Sequence, residues 1–142
     1  MKKTILLPIL FTGAFFTTSA QKLAAAKVPV AAIDTFAKQY PGVTGQWEKE
    51  GGKYEVNFKQ HGALMSVLMD EKGSIAETEM DIKISDLPTP VLAYAKEHYK
   101  GKNIKEAAKI TKADGTINFE AEVNGRDVIF NASGQFLKEV KD

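Results

Sequence analysis

The sequence predicts an α+β protein in which one unit, a helix followed by a four-stranded antiparallel sheet, is used twice in tandem (α-β4-α-β4). Two helix-like segments align at a constant offset of 59 residues: Val28-Pro29 with Leu87-Pro88, Ile33 with Leu92, and Tyr40 and Gly42 with Tyr99 and Gly101. Three turn signals then follow each segment in the same order. Matching turns behind matching helices indicate one supersecondary unit copied along the chain.

Ahead of the first unit stands a targeting segment. Lys2 and Lys3 supply the positive start, Thr4 to Phe16 form a mostly apolar stretch, and Thr17-Thr18-Ser19-Ala20 offers small residues for cleavage. This is the three-part pattern of an export signal, and its apolar stretch is short for a membrane span. Cleavage is expected after Ala20, which makes Gln21 the first mature residue and places the mature protein in the periplasm or outside the cell. The organisation expected is thus a signal peptide at 1–20, a first unit at 27–82 and a second at 84–142.

Composition narrows the function classes. The chain has 142 residues, 44% of them hydrophobic and 26% charged, and no cysteine. Disulfides, thiolate metal sites and cysteine nucleophiles are therefore excluded. Loss of residues 1–20 removes two lysines and no acids, leaving 17 basic against 18 acidic side chains. A near-neutral chain without basic runs lacks the electrostatic footprint for nucleic acid or an anionic membrane, so neither is expected as a partner.

Within each unit the helix comes first. Val30, Ile33, Phe36, Ala37 and Tyr40 recur at steps of three or four, as do Val91, Leu92, Ala95 and Tyr99. Thr89-Pro90 reads as an N-cap followed by proline at the first helical position, and Gly42 and Gly101 read as C-terminal stops. The strands are separated by Gly51-Gly52, His61-Gly62 and Asp70-Glu71-Lys72-Gly73 in the first unit. In the second they are separated by Asp114-Gly115, Asn124-Gly125 and Asn131-Ala132-Ser133-Gly134. Gly-Gly, Asn-Gly and Asp-Gly suit two-residue hairpins, and the Asx-x-x-Gly segments suit wider ones.

Two-residue turns fix cross-strand neighbours. They place Phe58 opposite Met65, Val56 opposite Val67 and Trp47, and Tyr54 opposite Met69, all on the helix-covered face. In the second unit Phe119 meets Phe130, Ala121 meets Val128, and Ile110 is expected opposite Phe119, taking the place of Trp47. Ile75 and Phe136 are left unassigned beside the wider turns. The other face carries Glu55, Asn57 and Lys59 with Leu68, Ser66 and Leu64, and Glu120 and Glu122 with Ile129 and Asp127.

Several motifs together carry a resemblance. The Val/Leu-Pro helix ending in Tyr-x-Gly, the Gln46-Trp47-Glu48-Lys49 strand, Lys53-Tyr54-Glu55-Val56 and the Asp70-x-x-Gly73 turn resemble PepSY-like exported proteins of Gram-negative bacteria with a β-lactamase-inhibitor-like (BLIP-like) fold. The resemblance covers about residues 27–140. Ile110 in place of the tryptophan and Lys100 in place of Pro41 depart from the pattern in the second unit. The resemblance implies two α-β4 units whose sheets form one extended or concave surface, and it supplies no inhibitory residue set.

Catalytic constellations are absent from the sequence pattern. His61 occupies a turn and His98 a helix end, with no acid or nucleophile at a matching spacing, and there is no Gly-x-Ser-x-Gly, phosphate loop or His-Glu-x-x-His. Asn131-Ala132-Ser133 is a turn rather than a glycosylation site, and Trp47 belongs to the core. The expectation is a non-enzymatic binding module without a cofactor, an inhibitor or modulator of an envelope or secreted protein. The alternative is a sensor or carrier for a small ligand or cation. Leu64, Ser66, Leu68, Glu55 and Ile129 form the candidate partner-binding set. Glu120, Glu122 and Asp127 form a candidate metal set, because Glu122 and Asp127 are like charges directly across a hairpin.

Overall fold

Residues 21–141 are described by the computed structural model, and their strands pair in chain order into one antiparallel sheet. The strands are β1 (Gln21–Leu23), β2 (Gln46–Glu50), β3 (Lys53–Gln60), β4 (Ala63–Met69), β5 (Ile75–Asp81), β6 (Ile104–Lys112), β7 (Ile117–Val123), β8 (Arg126–Asn131) and β9 (Phe136–Lys141). Helix α1 (Val30–Gln39) precedes β2 and helix α2 (Thr89–His98) precedes β6. The export signal expected at 1–20 lies outside the described residues.

This architecture corrects the expected fold class. The two four-stranded sheets of a tandem repeat are replaced by one nine-stranded sheet, mostly β, with only two short helices. The reason is pairing that no local turn encodes. β5 and β6, separated by α2, run antiparallel and pair from Glu77–Lys112 to Asp81–Ala108, closing the gap between the halves. An unexpected strand, β1, adds to the other end through Leu23 opposite Trp47.

Both helices lie on the same face. Under α1, Phe36 and Tyr40 pack with Trp47, Val56, Phe58, Val67 and Met69, with Phe36 edge-on to Trp47 and Phe58. Ile75, unassigned from sequence, joins this cluster. Under α2, Val91 packs with Ala107, Ala121, Val123, Val128 and Phe130. Phe136, likewise unassigned, stacks on Tyr94 at 5.1 Å. Trp47 is a core residue, as its register requires.

Two local details differ from the sequence reading. The N-cap of α2 is Pro88, not Thr89, and no side chain caps it. The two helix-ending glycines do adopt left-handed backbone, φ 74° at each. Beyond them, Gly73 has φ 78° where its turn presses on the first turn of α1: a Cβ there would lie 2.4 Å from the Ala31 carbonyl oxygen. The turn is built by Asp70 Oδ1, which accepts hydrogen bonds from the Lys72 and Ser74 amides. Asn131 Oδ1 does the same for Ser133 and Gln135.

The largest departure is at β6. The cross-strand pairs expected around His61-Gly62 and Asn124-Gly125 form as stated, and so does Trp47 opposite Val56. Ile110, however, faces Asn118, and Lys109 faces Phe119. The Asp114 turn is not a two-residue hairpin. The Lys112 amide donates to the Thr116 carbonyl and the Gly115 amide to the Lys112 carbonyl, leaving Ala113, Asp114 and Gly115 as a three-residue loop. One extra loop residue shifts the register by one and moves the side chains from Glu106 to Thr111 to the other face, while an irregularity between Ile104 and Glu106 keeps Ile104 against the core under α2.

Candidate functional site

The face away from the helices is acidic. Its rows follow from the register. Lys22, Glu48, Glu55, Leu68, Glu77 and Lys112 run across β1 to β6. Asn57, Ser66, Glu79, Ile110, Asn118 and Asn131 run across β3 to β8. Asp81, Ala108, Glu120, Ile129 and Lys138 run across β5 to β9, and Glu106, Glu122, Asp127 and Val140 across β6 to β9. Carboxylates outnumber lysines three to one along these rows, and Lys53 opposite Glu50 and Lys59 opposite Leu64 add two further lysines to the same face.

Burial raises the energetic stakes of this arrangement. Glu55 is 1% exposed and Glu79 3% exposed, and Glu50 and Asp127 are also buried. Oε2 of Glu79, Oε2 of Glu77 and both carboxylate oxygens of Glu50 are buried without a hydrogen-bond partner. A carboxylate so placed meets its desolvation cost by holding a proton. Burial, with the charges of Glu120, Glu55, Asp81 and Asp127 added, pushes Glu79 well above the usual carboxylate range. Burial also raises Glu55 to about 7, with Ser66 and Asn57 hydrogen bonds pulling the other way. Glu50 rises to about 7 from burial and the nearby Glu48. Glu77 is raised by burial and partly restored by Lys112, Lys53 and Lys138.

A depression opens on this face over β5 to β9. Ile110, Ile129 and Val140 give it an apolar floor, and Glu77, Glu120, Asp127, Asn118, Lys112 and Lys138 give it polar walls. Lys112 Nζ lies 3.9 Å from Glu77 Oε1. Glu79 sits directly beside it, as the cross-strand neighbour of Ile110.

The sequence-derived candidates all fall on this open face, with different exposure. Of the partner-binding set, only Leu64 is exposed, at 48%; Glu55, Ser66, Leu68 and Ile129 are buried. Leu68 is flanked across the strands by Glu55 and Glu77, so these residues make a floor rather than an apolar patch. Glu122 and Asp127 are cross-strand neighbours, and Glu120 is one strand position along. Among the described residues no group of three or more histidine or acidic side chains is placed to hold a metal ion. The two histidines stand away from the acidic rows: His61 in the β3–β4 turn with φ 50°, and His98 stacked 4.0 Å from Tyr94.

Sequence reasoning missed Glu50, Glu77, Glu79, Ile110, Lys112 and Lys138. A signal for two of them was present: Glu77, Glu79 and Asp81 alternate with Thr78 and Met80, the period-two pattern of a strand with one acidic face.

Comparison with solved structures places the architecture. A BLIP-like protein from Bacteroides fragilis is 26% identical, with a TM-score of 0.61 over 77% of this chain and 82% of its own. A DUF2874 family protein from Bacteroides uniformis is 17% identical, with a TM-score of 0.70 over 79% of this chain and 88% of its own. A proposed periplasmic protein from Bacteroides eggerthii is 15% identical, with a TM-score of 0.71 over 79% and 87%. The chain shares the BLIP-like and DUF2874 fold. The finer PepSY likeness gains no support from these structures. No family model and no curated protein matches the sequence.

Proposed function

We propose that the chain is an exported, periplasmic, non-enzymatic module that binds a partner protein of the cell envelope through the open face of its sheet. One observation carries this reading: both helices cover the same face, which leaves the opposite face of a nine-stranded sheet uncovered and lined with buried polar groups. Sheets with one free face ordinarily solvate it with exposed polar side chains. Carboxylates buried without partners are costly in an isolated molecule, and a binding surface is where such cost is recovered.

The proposed location and the proposed non-enzymatic character draw on separate observations. The export signal read from residues 1–20 agrees with the periplasmic assignment proposed for the Bacteroides eggerthii protein of the same fold. Among the described residues no helix is long and apolar enough to cross a membrane. Neither histidine stands in the acidic rows, so the open face offers carboxylates and amides without a histidine base beside a nucleophile.

The test is affinity capture of envelope proteins on immobilised protein, read by mass spectrometry. Wild type and the helix-side variant Glu97→Lys are expected to retain the same stoichiometric partner, and the open-face variant Leu64→Glu to lose it. Retention by Leu64→Glu, or no partner with all three proteins folded, overturns the reading.

A further inference from the structure

We propose that the β5–β6 pair is a seam along which the two halves of the sheet part when Glu79 is ionised, each half keeping its own core. No partner is needed for this opening, which is set by how the sheet is held together.

The two cores are separate. The cluster under α1 takes Ile75 from the start of β5, and the cluster under α2 takes Ile82, just past its end, with Ala107 from β6. Among the described residues, no side chain from Glu77 to Asp81, or from their partners Lys112 to Ala108, belongs to either cluster. On the helix side the seam is Thr78 against Thr111 and Met80 against Lys109, all half-buried or exposed. The ladder of backbone hydrogen bonds spans it, ending where the Ile82 amide donates to the Ala107 carbonyl and the Ala113 amide to the Ala76 carbonyl. A joint with so little shared apolar packing opens at lower free energy than the cores it connects.

On the open side the seam encloses an acid. Glu79 lies between Ser66 and Ile110, its cross-strand neighbours on β4 and β6. It is 3% exposed, Ile110 is 0% exposed, and Oε2 of Glu79 has no hydrogen-bond partner. An ionised carboxylate there lacks hydration, whereas parting β5 from β6 removes the Ile110 wall and admits water. The charges acting on Glu79 are those of Glu55 on β3, Asp81 on its own strand, Glu120 on β7 and Asp127 on β8. Lys112, Lys53 and Lys138 act on Glu77, and Lys112 Nζ lies 3.9 Å from Glu77 Oε1. Burial and the facing carboxylates thus make Glu79 hold its proton more tightly in the closed sheet than in the opened one. The stability that this group lends the closed seam is complete while it is protonated and is lost as pH rises through its raised value. Opening also dismantles the depression, which has Glu77 on β5 and the rest of its lining on β6 to β9.

Native-state hydrogen exchange of the 15N-labelled exported protein, expressed as protection factors, reads the seam. The alternation of the ladder points the amides of Thr78, Met80, Lys109 and Thr111 across it. Between about pH 6 and about pH 9 their protection is expected to fall by about tenfold or more beyond any fall at the amides of the β3–β4 and β7–β8 pairs. Glu79→Gln keeps the shape of the side chain and cannot ionise, so it should abolish this excess. Asp81→Asn removes one facing charge at a half-buried site and should shrink the excess by roughly threefold, a readout that stands even where Glu79→Gln perturbs folding. Seam amides that keep their protection, a fall shared equally by the two cores, or variants with the wild-type pH dependence overturn the proposal.

Discussion

The two halves of the sheet use the same order of elements and place their first strand differently. In the first half, Gly51-Gly52 makes a two-residue turn, so Trp47 faces Val56 and enters the core under α1. In the second, the loop at Ala113, Asp114 and Gly115 makes Lys109 the residue opposite Phe119 and puts Ile110 on the open face. One loop residue thus decides whether a large apolar side chain completes a core or floors a depression. The core under α2 compensates with small residues, Ala107 and Ala121, and draws its aromatic contacts from Tyr94, Phe130 and Phe136.

The sharpest way to break the comparison is to truncate the two register-equivalent residues. Trp47→Ala is expected to cost about 3–5 kcal/mol by cavity formation, and Lys109→Ala about 1 kcal/mol or less, read by denaturant unfolding. A loss at Lys109 as large as that at Trp47 would contradict this contrast between the two strands. A smaller contrast separates the two wide turns. Gly73→Ala brings a Cβ against the rigid Ala31 carbonyl, whereas Gly134→Ala meets the Pro90 Cβ at 3.0 Å. We expect a loss of about 2–3 kcal/mol for the first and about 1–2 kcal/mol for the second.

The acidic face adds a pH test centred on the first half. Glu55 is raised in the folded protein from 4.5 to about 7, so between these values the folded state holds more protons than the unfolded chain. Stability must then fall as pH rises through that window. Going from about pH 5 to about pH 8 should remove roughly 2 kcal/mol of stability, and Glu55→Gln should flatten part of that slope, the remainder coming from Glu50, Glu77 and Glu79, which are raised in the same sense. Asp70 and Asp114, lowered by hydrogen bonds with Ser74 and Thr116, act oppositely and only in more acidic solution. A melting temperature that rises from pH 5 to pH 8 would contradict the burial of Glu55. The smallest expected effect is that of calcium: at millimolar concentration it should leave the melting temperature unchanged, because Glu120, Glu122 and Asp127 are not gathered as ligands.

Much of the covered face was legible in the sequence. Val56 with Val67, Phe58 with Met65 and Phe119 with Phe130 follow from two-residue turns alone, because such turns leave one register open. The site was less legible. Glu55, Glu120 and Asp127 could be placed on the open face, yet Glu79 could not, since β5 follows a wide turn and a bulge between Leu68 and Met69. Its neighbours on the other side, Ile110 and the β6 strand, reach it only across the β5–β6 pairing.

The sequence by itself determined the positions of the helices and turns, the pairs of the first core that lie on β2, β3 and β4, and an acidic bias on one face of the strands. These are consequences of local backbone preference and side-chain period, which act over a few residues. The tertiary structure decided that the halves share one sheet, that β1 extends it, and that Ile110 joins Glu77, Glu120 and Asp127 around one depression. Those outcomes depend on pairing between strands separated by a helix and on a loop one residue longer than its Asp-Gly signal implied, so they are set by the energy of the whole sheet rather than by any single segment.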